Sequence, residues 1–431
     1  MGLLCHSPRL PQLSSTMTVV VLYPALRLSG GLSHRRRLWL LPLLLPASLH
    51  AQSGLAPQPD ACSVHAVTGL PGTDHYASRY LEAMQTDPRH PGTVFGLTAD
   101  LSEATPAADR ALYIAKSTDN GRHWAEVARI GPQYFDASIA EGLHNGLAVL
   151  SDGSGFILTT QRGAFDVQPR PAPGVPILTR IPGPVVPTPR TVLNAPKQSG
   201  DPLRANVVLV TADSKTLIVG YGYFDLNPQL YLYRRASARS WTAVRKIKGL
   251  PTDLDLFSMQ FGDPRSTHPR YLYVGTGDQA FRLDLHTQHW MRIEGVGADS
   301  SIHAMTTVGG PHFAACWGVY EPLNASSVYR ITQPDFLLHR ALDEVGPNIR
   351  AYGIEVDPRR HTHQVVGAIT GAYITKNGGR SWRRLNNLPD GEFHTAHFNP
   401  DGSIIVSGFM GSYALDPFSK ECIPQLQVRK H

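Results

Sequence analysis

Charge is what this chain has least of for its size. Only 17% of its 431 residues are Asp, Glu, Lys or Arg, against 39 Gly and 35 Pro. Low charge with so many turn formers argues for short strands joined by tight loops. Cysteine is scarce too. There are four, at positions 5, 62, 316 and 422, and none forms a Cys-x-x-Cys pair that would hold a metal or a redox disulfide. No Gly-rich phosphate loop and no Ser nucleophile elbow occurs. Gly275-Thr276-Gly277-Asp278 reads as a β-turn from its surroundings. His361 and His363 follow Asp357-Pro358-Arg359-Arg360, so a solvated turn is expected there instead of a zinc site. His394 and His397, three apart on one strand, are expected on opposite faces. Neither cofactor nor metal is expected. A long amphipathic helical pattern is also missing. Much of the net charge of +6 sits in Arg35-Arg36-Arg37 and Arg429-Lys430. No basic stripe, and no nucleic-acid partner, is therefore expected.

The start of the chain reads as targeting sequence. His34 to Arg37 is a basic segment, Leu38 to Ala47 an apolar one too short to cross a bilayer, and a signal-peptidase site fits after Ala51. The stretch before it, Met1 to Ser33, is either an early start or an anchor using Val19 to Tyr23. The expectation is export to the periplasm of a bacterium or beyond, without a stable membrane span in the mature chain. Residues 1–51 are then extension and signal peptide, and residues 52–431 one domain.

What is present is a repeated pattern. Ser117-Thr118-Asp119-Asn120-Gly121-Arg122-His123-Trp124 and Thr375-Lys376-Asn377-Gly378-Gly379-Arg380-Ser381-Trp382 share the form [Ser/Thr]-x-[Asp/Asn]-x-Gly-x-x-Trp. Each lies between two strand-like runs. The Asp or Asn can accept hydrogen bonds from the turn's own amides, the Gly supplies positive φ, and the Trp folds apolar surface back onto the sheet. Around these, a larger unit recurs: an apolar strand, an Asp-Pro or Asp-Gly turn, a second strand ending in Gly, then a hairpin closed by Trp. Phe281 to Trp290 is a degenerate copy. The period is roughly 45 to 50 residues, the length of a four-stranded propeller blade.

The short pattern resembles the Asp-box (bacterial neuraminidase) repeat of sialidases, sortilin-type receptors, xyloglucan hydrolases and photosystem II assembly factors. The resemblance rests on Ser117, Asp119, Gly121, Trp124, Thr375, Asn377, Gly379 and Trp382. It implies a structural turn remote from any active site. The expected fold is all-β: a single propeller, most simply of seven four-stranded blades. The alternative is six blades with a larger insertion. Trp124, Trp241, Trp290 and Trp382 should occupy equivalent outer-hairpin positions. The stretch from Gln168 to Pro202 holds ten prolines, which remove ladder donors. It reads as a loop inserted in, or replacing, the outer strands of blade 2. The segment from Cys62 to Val67 should join the C-terminal strands in one shared sheet, because an open ring leaves unpaired edges. That would bring Cys62 near Cys422 for a disulfide, with Cys316 left as a buried thiol.

Aligning the units puts polar and aromatic residues at the starts of successive inner strands, where propellers bind ligands. Candidates for ligand binding are Arg79, Tyr80, His144, Arg204, His303, Arg350, Tyr352 and His394, with Tyr223 and Asp225 from second-strand turns. Candidate catalytic carboxyls are Asp255, Asp278, Glu321 and Glu392. Arg180-Ile181-Pro182 matches a sialidase motif but follows the first Asp box instead of preceding it, and is set aside. Two functions stay open. One is a monomeric binding or assembly module showing a glycan- or protein-binding face. The other is a sialidase-like glycoside hydrolase or polysaccharide lyase, which would need paired carboxyls at a suitable separation.

Overall fold

The apolar runs seen in the sequence are strands covered on both faces. In the second strands Val94–Asp100, Phe156–Thr160, Gln364–Ala368 and Ile404–Gly408 every residue is buried. A strand can be apolar throughout only if sheets pack on each side of it. The computed structural model describes residues 64–72, 81–100, 105–135, 146–169, 177–186, 190–192, 195–197, 199–222, 228–250, 255–277, 279–293, 300–317, 328–332, 337–340 and 351–418. All of these belong to one compact unit.

Among them, seven four-stranded antiparallel sheets follow one another round a ring. Blade 1 comprises Ala83–Thr86, Val94–Asp100, Ala111–Ser117 and Ala125–Ile130. Blade 2 comprises Leu147–Val149, Phe156–Thr160, Gly163–Val167 and Leu178–Arg180. Blade 3 comprises Ala205–Val210, Thr216–Tyr221, Gln229–Ser237 and Ser240–Ile247. Blade 4 comprises Leu256–Phe261, Tyr271–Thr276, Ala280–Asp284 and His289–Ile293. Blade 5 comprises Ser300–Thr306, His312–Trp317, Val328–Thr332 and Leu337–Arg340. Blade 6 comprises Ala351–Val356, Gln364–Ala368, Gly371–Thr375 and Arg383–Arg384. Blade 7 takes Thr395–Phe398, Ile404–Gly408 and Gly411–Leu415 from the end of the chain and Val64–Ala66 from its beginning. The first strand of each blade packs beside that of the next, and blade 7 returns to blade 1. The fold is a single β-propeller.

Ring closure is a two-part clasp. Val64 pairs with Leu415 and Ala66 with Tyr413 on the outer edge of blade 7. The chain then crosses to blade 1, where the Thr68 amide donates to the Arg122 carbonyl (3.0 Å) and the Trp124 amide to the Thr68 carbonyl (2.9 Å). Cys62 and Cys422 lie outside the described residues. The proline-rich segment does not replace the outer strand of blade 2. It supplies that strand, Leu178–Arg180, and then a small hairpin of Arg190–Val192 with Ala195–Lys197 before blade 3 begins.

The core lies between sheets. Phe95 of blade 1 meets Phe156 of blade 2 edge to face at 4.8 Å. Tyr221, Tyr233 and Trp241 of blade 3 pack on Leu150 and Ile157 of blade 2. The Gly at or next to the end of several second strands has a steric reason. A Cβ on Gly367 would stand 2.6 Å from the Phe393 carbonyl oxygen of blade 7, and one on Gly275 2.7 Å from Ile302 Cβ of blade 5. The next blade begins in the space these glycines leave.

At one end of the ring, the turns after the first strands follow one rule. Asp87, Asp152, Asp213, Asp263, Asp357 and Asp401 each accept a hydrogen bond at Oδ1 from the amide two residues on. This is the Asx-turn chemistry behind the repeated Asp-Pro and Asp-Gly. The third-to-fourth-strand turns open at the same end. In blade 1, Ser117 Oγ accepts from the Gly121 amide (2.9 Å) and donates to Asp119 Oδ1 (2.8 Å), which also takes the His123 amide (2.9 Å). In blade 6, Thr375 Oγ1 accepts from Gly379 (3.1 Å), and Asn377 Oδ1 takes Thr375 Oγ1 (2.8 Å) and the Ser381 amide (3.0 Å). Gly121 and Gly379 stand at φ 83° and 84°. In blade 4, Asp284 plays the same part, accepting from His286 and Thr287. Trp124, Trp241, Trp290 and Trp382 all sit at the start of the fourth strand of their blades.

Candidate functional site

The opposite end of the ring is built by an irregularity the sequence did not announce. Three inner strands carry an extra residue near their starts, so that two residues face one on the partner strand. The extra residues are Asn206 in blade 3, Phe257 in blade 4 and Tyr352 in blade 6. Blade 5 does the same at His303. In blade 7 the His394 amide donates to the Ser407 carbonyl (2.8 Å), although Thr395 is already opposite Ser407. Blade 1 repeats this with Glu82 and Ala83 against Leu97. A bulge re-aims one side chain out of the regular alternation, and here successive bulges re-aim theirs toward one another.

The result is an arc of rings running from blade 4 to blade 7. Phe257 stacks on His303 with centroids 4.6 Å apart and planes at 30°. His303 meets Tyr352 edge-on at 5.5 Å. Tyr352 lies over His394 at 4.5 Å, and His394 meets Phe409 at 4.5 Å and 61°. The three central rings are buried, with His303 at 7%, Tyr352 at 4% and His394 at 8% exposure, whereas Phe257 and Phe409 keep partly open surface at the two ends. Beside the arc, the Asn206 side-chain amide donates to the Leu256 carbonyl. Its Oδ1 is buried and finds no partner among the described residues. A buried acceptor left open costs free energy unless water or a ligand fills it.

Glu392 is a carboxylate at this mouth. Its Oε2 lies 3.2 Å from His394 Nε2, with side-chain exposures of 14% and 9%. His397 begins a second polar chain one layer deeper. Its Nδ1 lies 3.3 Å from Glu355 Oε2 of blade 6. Its Nε2 lies 3.0 Å from Thr86 Oγ1 of blade 1. Glu355 also takes the Phe398 amide at 2.7 Å. His394 thus meets blade 6 through the Tyr352 ring, whereas His397 lies between Glu355 of blade 6 and Thr86 of blade 1.

The other sequence candidates fall as follows. Of the binding candidates, His303, Tyr352 and His394 come together in the arc. Arg204 precedes the inner strand of blade 3 and is 1% exposed. Asp255 is half-buried, and its carbonyl accepts from the Gly277 amide (2.9 Å), which ties the start of the inner strand to the next turn. Arg79, Tyr80, His144, Tyr223, Asp225, Arg350, Asp278 and Glu321 lie outside the described residues. Phe257, Phe409, Glu82 and Thr86 were missed. Nothing in a single sequence distinguishes Phe257 from a core phenylalanine. The signal that existed was positional: the residue near the start of the inner strand in the aligned units.

Among the described residues no group of three His, Cys, Asp or Glu side chains could hold a metal. No helix there is long and apolar enough to cross a membrane.

No protein-family model matches the sequence, and no curated protein matches it either. Its likeness is to solved propellers. The WD40 β-propeller domain of Doa1 superposes with a TM-score of 0.53 at 12% identity, over 84% of this chain and 99% of that one. The extracellular domain of a protein assigned as a hybrid two-component system of B. thetaiotaomicron gives 0.50 at 12% identity. That match covers 82% of this chain but only 40% of the larger domain. A GH74 xyloglucanase from Xanthomonas campestris aligns at 0.42 and 14% identity, over 81% of this chain and 46% of that one. At such identities the likeness is one of fold.

Proposed function

We propose that this protein is an exported binding propeller that takes its ligand at the bulged mouth, and that the ligand is a glycan or a glycan-bearing surface. One observation carries the reading: five rings from blades 4 to 7 stacked across the mouth, with partly open phenylalanines at both ends. A sugar ring presents a C–H face to such a surface, and Asn206 Oδ1, which has no partner among the described residues, and the Glu392 carboxylate can accept hydrogen bonds from hydroxyls beside it. On this reading the Ser117–Trp124 and Thr375–Trp382 turns are Asp boxes that serve the fold from the other end of the ring. The mature chain would start after Ala51 as one domain.

The test is a glycan array and polysaccharide pull-down with the mature protein. Phe257→Ala and Phe409→Ala should each weaken binding about tenfold, while melting temperature changes little because both rings are partly open. Binding unaltered in both variants would sink the assignment of the mouth. The Glu392–His394 pair also favours a second reading, a glycoside hydrolase acting at the same place. Hydrolysis abolished by Glu392→Gln with glycan affinity kept would select it.

A further inference from the structure

The outer hairpin of blade 3 differs from every other in length and in charge. Its strands, Gln229–Ser237 and Ser240–Ile247, have nine and eight residues. Between Pro228 and Pro251 the sequence holds six cations (Arg234, Arg235, Arg239, Arg245, Lys246 and Lys248) and no Asp or Glu. The even composition of the whole chain hides this concentration, and the expectation that no basic stripe exists is corrected here.

Two of the six are committed within the fold. Arg235 donates to Asp152 (2.7 Å), and Arg239 reaches Thr179 (3.1 Å). Arg245 donates weakly to the Leu285 carbonyl at 3.4 Å. Arg234, Lys246 and Lys248 are exposed and make no ion pair among the described residues. Ser240–Ile247 is also the outermost strand of its sheet, so its outer row of amides and carbonyls meets no strand among the described residues. Thr242 to Lys246 are all exposed, and Val244, 48% exposed, is one of three large apolar side chains so open in the described protein.

An unpaired strand with free backbone groups is a template for another strand. The basic side chains bar a second copy of the same edge, because like charges facing each other across a ladder are unfavourable, and they favour an acidic strand for the opposite reason. We propose that this edge binds an extended acidic segment of a partner protein, added as a fifth strand to blade 3. A peptide fits better than an acidic polysaccharide. Val244 is the extra residue of a bulge in this strand, between Ala243 opposite Tyr233 and Arg245 opposite Leu232. Only a peptide can match the amides and carbonyls on either side of it, and a side chain on that peptide can cover Val244. The surface lies on the outer rim of the ring, on the fourth strand, and the bulged mouth is built from first strands. The two could be occupied together.

The experiment uses the mature protein and a synthetic peptide alternating Glu with Val and Thr, measured by fluorescence anisotropy at low salt. Binding should fall about tenfold in Lys246→Glu/Lys248→Glu, whose melting temperature should be unchanged because both side chains are exposed. Arg270→Glu, whose wild-type side chain is already paired with Asp284 at 3.0 Å, should bind as the wild type does. Hydrogen exchange should slow at the amides of Thr242 to Lys246 on binding. A peptide of the same charge interrupted by prolines should bind at least tenfold more weakly. Three outcomes would overturn the proposal: no binding at low salt, equal binding of the proline-interrupted peptide or of heparin, or exchange protection elsewhere on the ring.

Discussion

Asp119 and Asn377 hold matching places in two turns, but only one of them can titrate. Burial pushes the Asp119 carboxyl up, yet the His123 amide and ring and the Ser117 hydroxyl outweigh it and hold the group down at about 2, from an ordinary 3.8. A group depressed on folding contributes fully above its unfolded value and loses that contribution as pH falls toward the folded one. Stability supplied by this turn should therefore fade between about pH 4 and pH 2. Asp119→Asn copies the neutral acceptor of Asn377 and should remove that dependence. In thermal melts from pH 7 to pH 2, the gap between wild type and Asp119→Asn should close as acid is added. A gap that stays constant with pH would show that the turn does not depend on the charge. The effect is small, on the order of 1 kcal/mol or less, because the Asp119 side chain is 39% exposed and its bonds are screened.

Among whole elements, the inner strands do two jobs, lining the channel and joining blade to blade. Ser258 Oγ donates to the Ile302 carbonyl (2.8 Å), and Thr395 Oγ1 to the Leu81 carbonyl (2.7 Å). Where blade 6 meets blade 7, the corresponding residue is Gly353, and the backbone of the next strand moves in. A Cβ there would stand 2.4 Å from the His394 carbonyl oxygen and 3.1 Å from Thr395 Cα. Backbone cannot swing aside as a side chain can, so Gly353→Ala should cost about 2–4 kcal/mol. It should also displace His394 and weaken binding at the mouth. Gly92→Ala, with nothing within 4 Å of the new methyl, should leave both unchanged. Urea melts of the two variants decide this. Equal midpoints would mean that the blades have slack at this seam.

For the molecule as a whole, the decisive event is closing the ring. The N-terminal strand seals the outer edge of blade 7, and Thr68 then ties blade 1 to it. The Asn120 carbonyl takes a bond from Asn399 Nδ2 at 3.1 Å across the same seam. Val64 faces Leu415, so the strands next in sequence to Cys62 and Cys422, which lie outside the described residues, share one end of the sheet. On the proposed export, a disulfide between them would lock the clasp, and a loop closed from residue 62 to residue 422 is worth on the order of 4 to 5 kcal/mol before strain. Non-reducing peptide mapping of periplasmic protein should yield a linked pair of peptides. Free thiols at both positions would leave the clasp to hydrogen bonds alone.

Local chemistry was legible in the sequence wherever one residue type has one physical use. The Asp of each first turn, the Gly at positive φ and the Trp closing each hairpin act within a few residues of themselves, so their spacing gave both the turns and the repeat. The N-terminal strand of blade 7 was legible as well, since a strand-like segment without a blade has one place to go in a closed ring. The arc at the mouth was only half legible. His303, Tyr352 and His394 could be placed by aligning the repeats, but Phe257 could not, because the register slipped by two residues in blade 4. What makes these four a site is the bulge at each strand start together with the angle between neighbouring sheets. Both depend on contacts between residues about fifty apart in sequence. The basic edge of blade 3 was hidden for a related reason. Its charges are ordinary one by one, and only the pairing of sheets decides which strand is left outermost among the described residues.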